Sequence, residues 1–247
     1  MTVLVTRPAP QGQALCQMLD LTDIPTLYQP LITILPGAEL DQLATMLTSA
    51  DIVIAVSQHA IEHSQNVLSA HNQAWPKKTY LAIGQKTAHS LSTVAEQKVN
   101  YPETSDSEHF LLLPELQHID GKKVLILRGN GGRELIKQAL EEHGAIVSYC
   151  ETYQRAPQEI ECQQLVASWQ QNSVDTIVVT SGEQLQLLME QLPSVEHSWI
   201  TQQYLVVPSS RIAQLANQFG FNKVEISQSA SNQDITTALQ SIYRTRK

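Results

Sequence analysis

Residues 121–155 read GKKVLILRGNGGRELIKQALEEHGAIVSYCETYQR: strand, glycine-rich turn, helix and a second, longer strand. Val124-Leu125-Ile126-Leu127 is the short apolar run of a buried parallel strand. In Arg128-Gly129-Asn130-Gly131-Gly132-Arg133 the glycines permit tight turning and bring backbone N–H groups close to an anion. Leu135, Ile136, Ala139 and Leu140 have helical spacing, and His143-Gly144 ends that helix. Ala145 to Tyr153 is extended again, with Arg155 just beyond.

This order puts arginines and free amides where a strand ends and a helix begins, the place where open α/β sheets bind ligands and helix N-termini favour negative charge. Lys122, Lys123, Arg128, Arg133 and Lys137 are five of only 16 Lys and Arg residues, so basic charge concentrates here. Taken alone, the stretch is equally a solvated lysine face with ordinary helix-end arginines.

The rest of the chain gives the turn its context. With 247 residues, 42% hydrophobic and 16% charged, it has the composition of an ordinary globular protein of one or two domains. A net charge of −8 argues against nucleic-acid or anionic-membrane partners. An anionic small molecule then needs a locally basic pocket. The start, MTVLVTRP, runs straight into a strand, and no stretch approaches the length of a membrane span. Cys16, Cys150 and Cys162 follow no disulfide pattern and fit free thiols, so the expected location is the cytoplasm.

From residue 1 onward βα units alternate, which predicts parallel sheets with helices on both faces. About ten strands exceed what one such sheet usually carries, so two domains are expected. Helices are expected over Ser57 to Ala70, Lys86 to Val94, Ser107 to Leu116, Ser181 to Leu192 and Ser210 to Phe219. The extended segments 26–35 and 145–155 flank the block 36–144. They read as paired crossover strands, which makes the first domain discontinuous, 1–34 with 156–247.

Each strand-to-helix junction carries a hydroxyl, glycine or arginine: Thr6-Arg7, Ser57, Gly84, Arg128-Gly129, Thr180-Ser181 and Ser209. Any one of these is an N-cap worth about 1 kcal/mol. Together, with Gly131, Gly132, Arg133 and Arg155, they make a lining suited to several carboxylates or phosphates at once. Tyr153 ends the long strand, and its hydroxyl is suited to protonating a leaving oxygen or holding a carboxylate. The plain alternative is a half-buried strand tyrosine with a wet hydroxyl. There is no triphosphate-binding P-loop, no third glycine of a dinucleotide fingerprint and no Gly-x-Ser-x-Gly elbow. His59-Ala60-Ile61-Glu62-His63 fits an inverted zinc-hydrolase pattern, but no third ligand is evident and surface histidines are the simpler reading; no metal is expected.

The ordered set Leu4-Val5-Thr6-Arg7-Pro8, Ala82-Ile83-Gly84-Gln85-Lys86-Thr87-Ala88, Ser105-Asp106-Ser107-Glu108, Leu127 to Arg133, Tyr153-Gln154-Arg155, Thr180-Ser181-Gly182 and Ser210-Arg211-Ile212-Ala213 resembles the uroporphyrinogen-III synthase family over nearly the whole chain. The resemblance implies two flavodoxin-like α/β domains joined by a two-stranded β-ladder, with the active site in a cleft. It implies a cofactor-free lyase of tetrapyrrole (haem) biosynthesis that closes hydroxymethylbilane to uroporphyrinogen III with ring D inverted. It implies a monomer, with possible transient contact with the enzyme that makes hydroxymethylbilane. Tyr153 matches the family's candidate acid, and Ser57, Thr87 and either Thr180 or Ser181 match its cleft positions. The chain departs from the family pattern at His59, where asparagine is usual. The competing reading is a non-catalytic two-domain binder of anionic metabolites.

Overall fold

The computed structural model describes residues 2–132, 134–160 and 162–245, without the side chains of Cys162, Gln163 and Thr245. In chain order its elements begin with β1 (Thr2–Val5), α1 (Gln11–Asp20), β2 (Thr26–Tyr28) and β3 (Ile32–Pro36). Next come α2 (Leu43–Ser49), β4 (Ile52–Ala55), α3 (Gln58–Ala70), β5 (Thr79–Ala82), α4 (Gln85–Ala95), β6 (Val99–Asn100) and α5 (Ser107–Phe110). Then follow β7 (Lys123–Gly129), α6 (Leu135–Glu142), β8 (Ile146–Pro157), α7 (Cys162–Gln171), β9 (Val174–Val178), α8 (Gly182–Gln191) and α9 (Ser194–Ile200). The chain closes with β10 (Tyr204–Val207), α10 (Ser210–Gln218), β11 (Val224–Ile226) and α11 (Asn232–Thr245).

The protein is a mixed α/β chain with parallel sheets, and it falls into two compact units, 1–33 with 156–247, and 34–155. In the first unit the strands lie in the order β11-β10-β9-β1-β2, all parallel. Val3, Val5, Val178 and Val206 pack on one face against Leu15, Leu19 and Leu239. Leu4, Ile177, Leu205 and Val207 pack on the other against Trp169, Leu185 and Ile212. A sheet covered on both faces needs the near-continuous apolar strands the sequence supplies.

The second unit has the order β3-β8-β7-β4-β5-β6. Strands β4 to β8 are mutually parallel where they pair. β3 runs against β8: Gly37 N–H donates to Thr152 O, and Gln158 N–H donates to Leu31 O, so rising numbers in one strand meet falling numbers in the other. Val53, Leu125, Leu127 and Cys150 face α2, α3 and α4, while Ile52, Ile54, Leu81 and Ile126 face Phe110, Ile136 and Leu140. One irregularity bears on the site. Arg128 pairs with Glu151 but Gly129 pairs with Tyr153, so β8 carries one extra residue, Thr152, at a bulge. Thr152 and Tyr153 are both buried in consequence, and the Thr152 hydroxyl donates to Arg128 O at 3.2 Å.

Two expected elements differ from those observed, and one observed helix is additional. The helix over Ser107 to Leu116 stops at Phe110, because Pro114 supplies no N–H and holds Leu113 extended, leaving only a 3-10 turn at Pro114–Leu116. The extended segment from Thr26 divides at Gln29-Pro30-Leu31 into β2 and β3. Past α8, Pro193 separates off a further helix, α9, that the sequence reading did not anticipate. Cys16 and Cys150 are free thiols, and no described helix is long and apolar enough to cross a membrane.

Candidate functional site

In the second unit, the strand ends bring Ser57, Gly129 and Tyr153 together. Ser57 precedes α3 with extended backbone and caps it, accepting from Ala60 N–H at 3.2 Å. The same Ser57 Oγ donates to Tyr153 Oη at 3.2 Å. Tyr153 is only 4% exposed, and its ring occupies the space a side chain at Gly129 would need. A Cβ built on Gly129 would lie 2.6 Å from Tyr153 Cε2 and Cζ, so glycine is required there for packing. The imidazoles of His59 and His63 lie against the same ring, with centroids 5.6 and 6.3 Å away. No group of three or more His, Cys, Asp or Glu residues arranged for a metal occurs among the described residues.

Asn130 fastens the glycine-rich turn to β8 by a reciprocal pair. Its Oδ1 accepts from Arg155 N–H at 2.9 Å, and its Nδ2 donates to Arg155 O at 3.2 Å. Arg155 is exposed at this end of the strand. Gly131 has open space where a side chain would be, and Gly132 sits at φ +137. Arg133 lies outside the described residues. Thr87 is half-buried in the first turn of α4, where the opening N–H groups lack intrahelical acceptors. A hollow of about 510 Å³ flanks α4, lined by Gln58, Lys86, His89, Lys98 and Tyr101.

Arg128 departs from the expected role. Its guanidinium is folded into its own unit, 4.2 Å above the Tyr149 ring, with Nη1 donating to Glu134 Oε1 at 2.8 Å. Tyr149 Oη donates to the other carboxylate oxygen at 2.6 Å. Burial pulls the guanidinium pKa down, but the hydrogen bond to Glu134 and the charge around it carry it above its ordinary value. Hydrogen bonds from Tyr149 and then Arg128 hold Glu134 below the usual carboxylate range. Burial, then the bond to Glu134, pushes the Tyr149 phenol up to about 12. Arg128 therefore braces the turn, and it is not a free cation at the strand end.

In the first unit the corresponding residues are Thr6, Arg7, Thr180, Ser181 and Ser209. Thr6 is fully buried and donates to Val178 O at 2.8 Å, which removes its side chain from the expected lining. Arg7 Nη1 donates to Ala230 O and Asn232 Oδ1, both at 2.7 Å, binding the loop before α11; burial lowers its pKa. Thr180 donates from N–H and Oγ1 to the buried Gln184 Oε1, and Ser181 caps α8 by accepting from Gln184 N–H. Ser209 precedes α10 at the N-cap with no side-chain cap bond. Sequence reasoning named the strand ends but missed Glu134, Tyr149, Gln184 and Asn232, whose polar groups take up those donors.

A sequence profile of the family described as Uroporphyrinogen-III synthase HemD matches residues 23–237. The protein named uroporphyrinogen-III synthase in Escherichia coli (strain K12) is 42% identical over 246 residues, covering 97% of this chain and all of that protein. Its namesake in Salmonella typhimurium is 41% identical, with the same coverage. The fold resembles that of a mutant uroporphyrinogen III synthase from the extremely thermophilic bacterium Thermus thermophilus, with a TM-score of 0.63 at 17% identity over 99% of this chain and 98% of that one. It also resembles the synthetase from Helicobacter pylori 26695, with a TM-score of 0.59 at 18% identity over 98% of each chain. On the extent of the profile match and the identity to full-length relatives, the chain belongs to the uroporphyrinogen-III synthase family.

Proposed function

We propose that this chain performs the activity its family is named for: closure of hydroxymethylbilane to uroporphyrinogen III, with inversion of ring D and loss of water. Tyr153 is the general acid. Its phenol protonates the terminal hydroxyl, which leaves as water. Ring D attacks the resulting azafulvene through its substituted carbon to give a spiro intermediate. That carbon's older bond to the neighbouring methylene breaks, and the methylene so freed closes onto ring D's unsubstituted carbon with loss of a proton, leaving the ring inverted. The observation that carries this reading is the chain Ala60 N–H to Ser57 Oγ to Tyr153 Oη, each link 3.2 Å. With Ser57 donating to the phenol oxygen, the phenol proton is free for substrate. The phenolate left behind is stabilised by Ser57 and by the positive end of α3.

The flavodoxin-like description is supported for the first unit, whose strands, counted within the unit, run 2-1-3-4-5. The parallel strands of the second unit run 3-2-1-4-5, the other doubly wound order. We take the domains as 1–34 with 156–247, and 36–144, joined by the ladder of 26–35 and 145–155. Thr87, Ser181, Ser209, Arg155 and the amides of Gly129, Gly131 and Gly132 supply donors to the substrate's carboxylates, while the hydroxyl of Ser57 is given to Tyr153 and the donors of Thr180 to Gln184. Catalysis is then mainly positioning of a flexible chain, with electrostatic help to a departing hydroxyl. We place the reaction in the cytoplasm, by a monomer. Transient contact with the enzyme that makes hydroxymethylbilane suits a substrate that closes to the type I isomer on its own.

The test is hydroxymethylbilane incubated with and without the protein, with the products oxidised and resolved by isomer. Type III product only with protein is expected; type I alone from folded protein would sink the reading. The competing reading, a binder of anionic metabolites without turnover, draws no support from the Escherichia coli and Salmonella typhimurium relatives, both of which carry an enzyme's name.

A further inference from the structure

His59 and His63 lie one turn apart on α3, and both rings rest on Tyr153. The His59 ring is tilted by 54° at 5.6 Å, and the His63 ring is stacked within 20° at 6.3 Å. The His59 side chain is 14% exposed. With Gly129 leaving space for the phenol and Ser57 fixing its oxygen, the imidazoles complete the enclosure of Tyr153. A phenol that must meet a leaving oxygen within a fraction of an ångström needs such an enclosure.

We infer that His59 is a positioning residue for Tyr153: as a neutral imidazole it holds the phenol in its reactive orientation, and when protonated it releases it. The inference rests on the reading of Tyr153 as the acid. The charged and titratable groups around His59 are Glu62 and His63 on its own helix, and Arg155 and Tyr153 on β8. Burial disfavours the imidazolium most; Arg155 and His63 also disfavour it, Glu62 opposes them, and the net pKa lies below the ordinary value. His59 is moreover the second residue of α3, where the helix dipole disfavours a cation. The Glu62 carboxylate is 3.8 Å from His59 Nδ1 and 55% exposed, so it offers a protonated ring an ion pair on the solvent side, off the phenol. Turnover therefore carries an acid limb set by this imidazole, below about pH 6.5.

The experiment is the pH profile of kcat and KM for the parent, His59→Phe and His59→Ala. Phenylalanine keeps a ring against Tyr153 and cannot be protonated. We expect it to retain most of the alkaline kcat and to lose the acid limb. Alanine removes the ring, and we expect kcat about 10- to 100-fold lower at every pH, with KM little changed. An acid limb intact in His59→Phe, or full kcat in His59→Ala, would overturn the inference. Should the folded parent form no type III product, the functional reading fails instead. The imidazole proton resonance of His59 then decides: its pH titration moves in Tyr153→Phe if the two groups are coupled, and an unmoved titration overturns the inference as well.

Discussion

Ser57 and Tyr153, 96 positions apart in the chain, meet hydroxyl to hydroxyl at 3.2 Å, and Ser57 at the same time caps α3. One serine thus ties a helix start to the phenol. Tyr153→Phe keeps the ring and removes the hydroxyl, with its acidic proton and its bond from Ser57, so turnover should fall about 10²-fold with folding intact. Unchanged kcat in the isomer-resolved assay would remove Tyr153 from the mechanism.

Ser57→Ala should lower turnover less, about tenfold, since the phenol keeps its own proton. It should also cost about 1 kcal/mol of stability through the lost cap. Denaturant titration beside the rate assay separates the two effects. A cost in stability with no cost in rate would show that the bond to Tyr153 is architectural only.

Gly129→Ala inserts a methyl group 2.6 Å from ring atoms of Tyr153. The ring sits in a packed interior, so the expected penalty is about 1–3 kcal/mol, with kcat lowered as the phenol is displaced. A thermal melt and a rate at one substrate concentration suffice. Full stability would mean that the ring moves aside freely.

Thr6→Val tests the reassignment of that side chain. Its hydroxyl is fully buried on Val178 O, so the variant should lose about 1 kcal/mol of stability and no kcat. A loss of turnover in a fully stable variant would return Thr6 to the substrate lining.

Glu134 holds Arg128 and Tyr149, and its pKa lies below the ordinary 4.5. A depressed folded-state pKa means that the native state binds fewer protons than the unfolded one, so the stabilisation is present above about 4.5 and is lost as pH falls through the folded value. Glu134→Gln should be less stable near neutrality and lose less on acidification. Urea midpoints measured from pH 7 down to about 3 check this. Parallel curves for the two proteins would contradict it.

The alternation of apolar strands with helices that end in Gly144 or Gly220 is a local pattern, and it was readable as such. Pro114 and Pro193 broke that pattern where the sequence reading had run a helix through or stopped short. The site was legible as a set of strand ends and as one tyrosine. The direction of each side chain was not. Thr6 turns inward because its strand position faces Val178, and Arg128 turns back because Glu134 and Tyr149 offer a carboxylate and a ring. Those partners lie on other turns and strands, and no spacing rule within a single segment brings them into view.

The extra residue at Thr152 sets the phase of everything after it in β8. Neighbouring side chains in a strand point to opposite faces, so a regular ladder through the same residues, without the bulge, would set Thr152 opposite Gly129 and turn Tyr153 to the far side of the sheet. Whether the phenol reaches Ser57 is therefore a matter of alignment: Tyr153, and not Thr152, must stand opposite Gly129. Straightening the bulge with the sequence unchanged would leave every chemical group in the chain's inventory and still abolish the hydroxyl pair. The phenol's position is thus held by an alignment that no inventory of side chains would reveal.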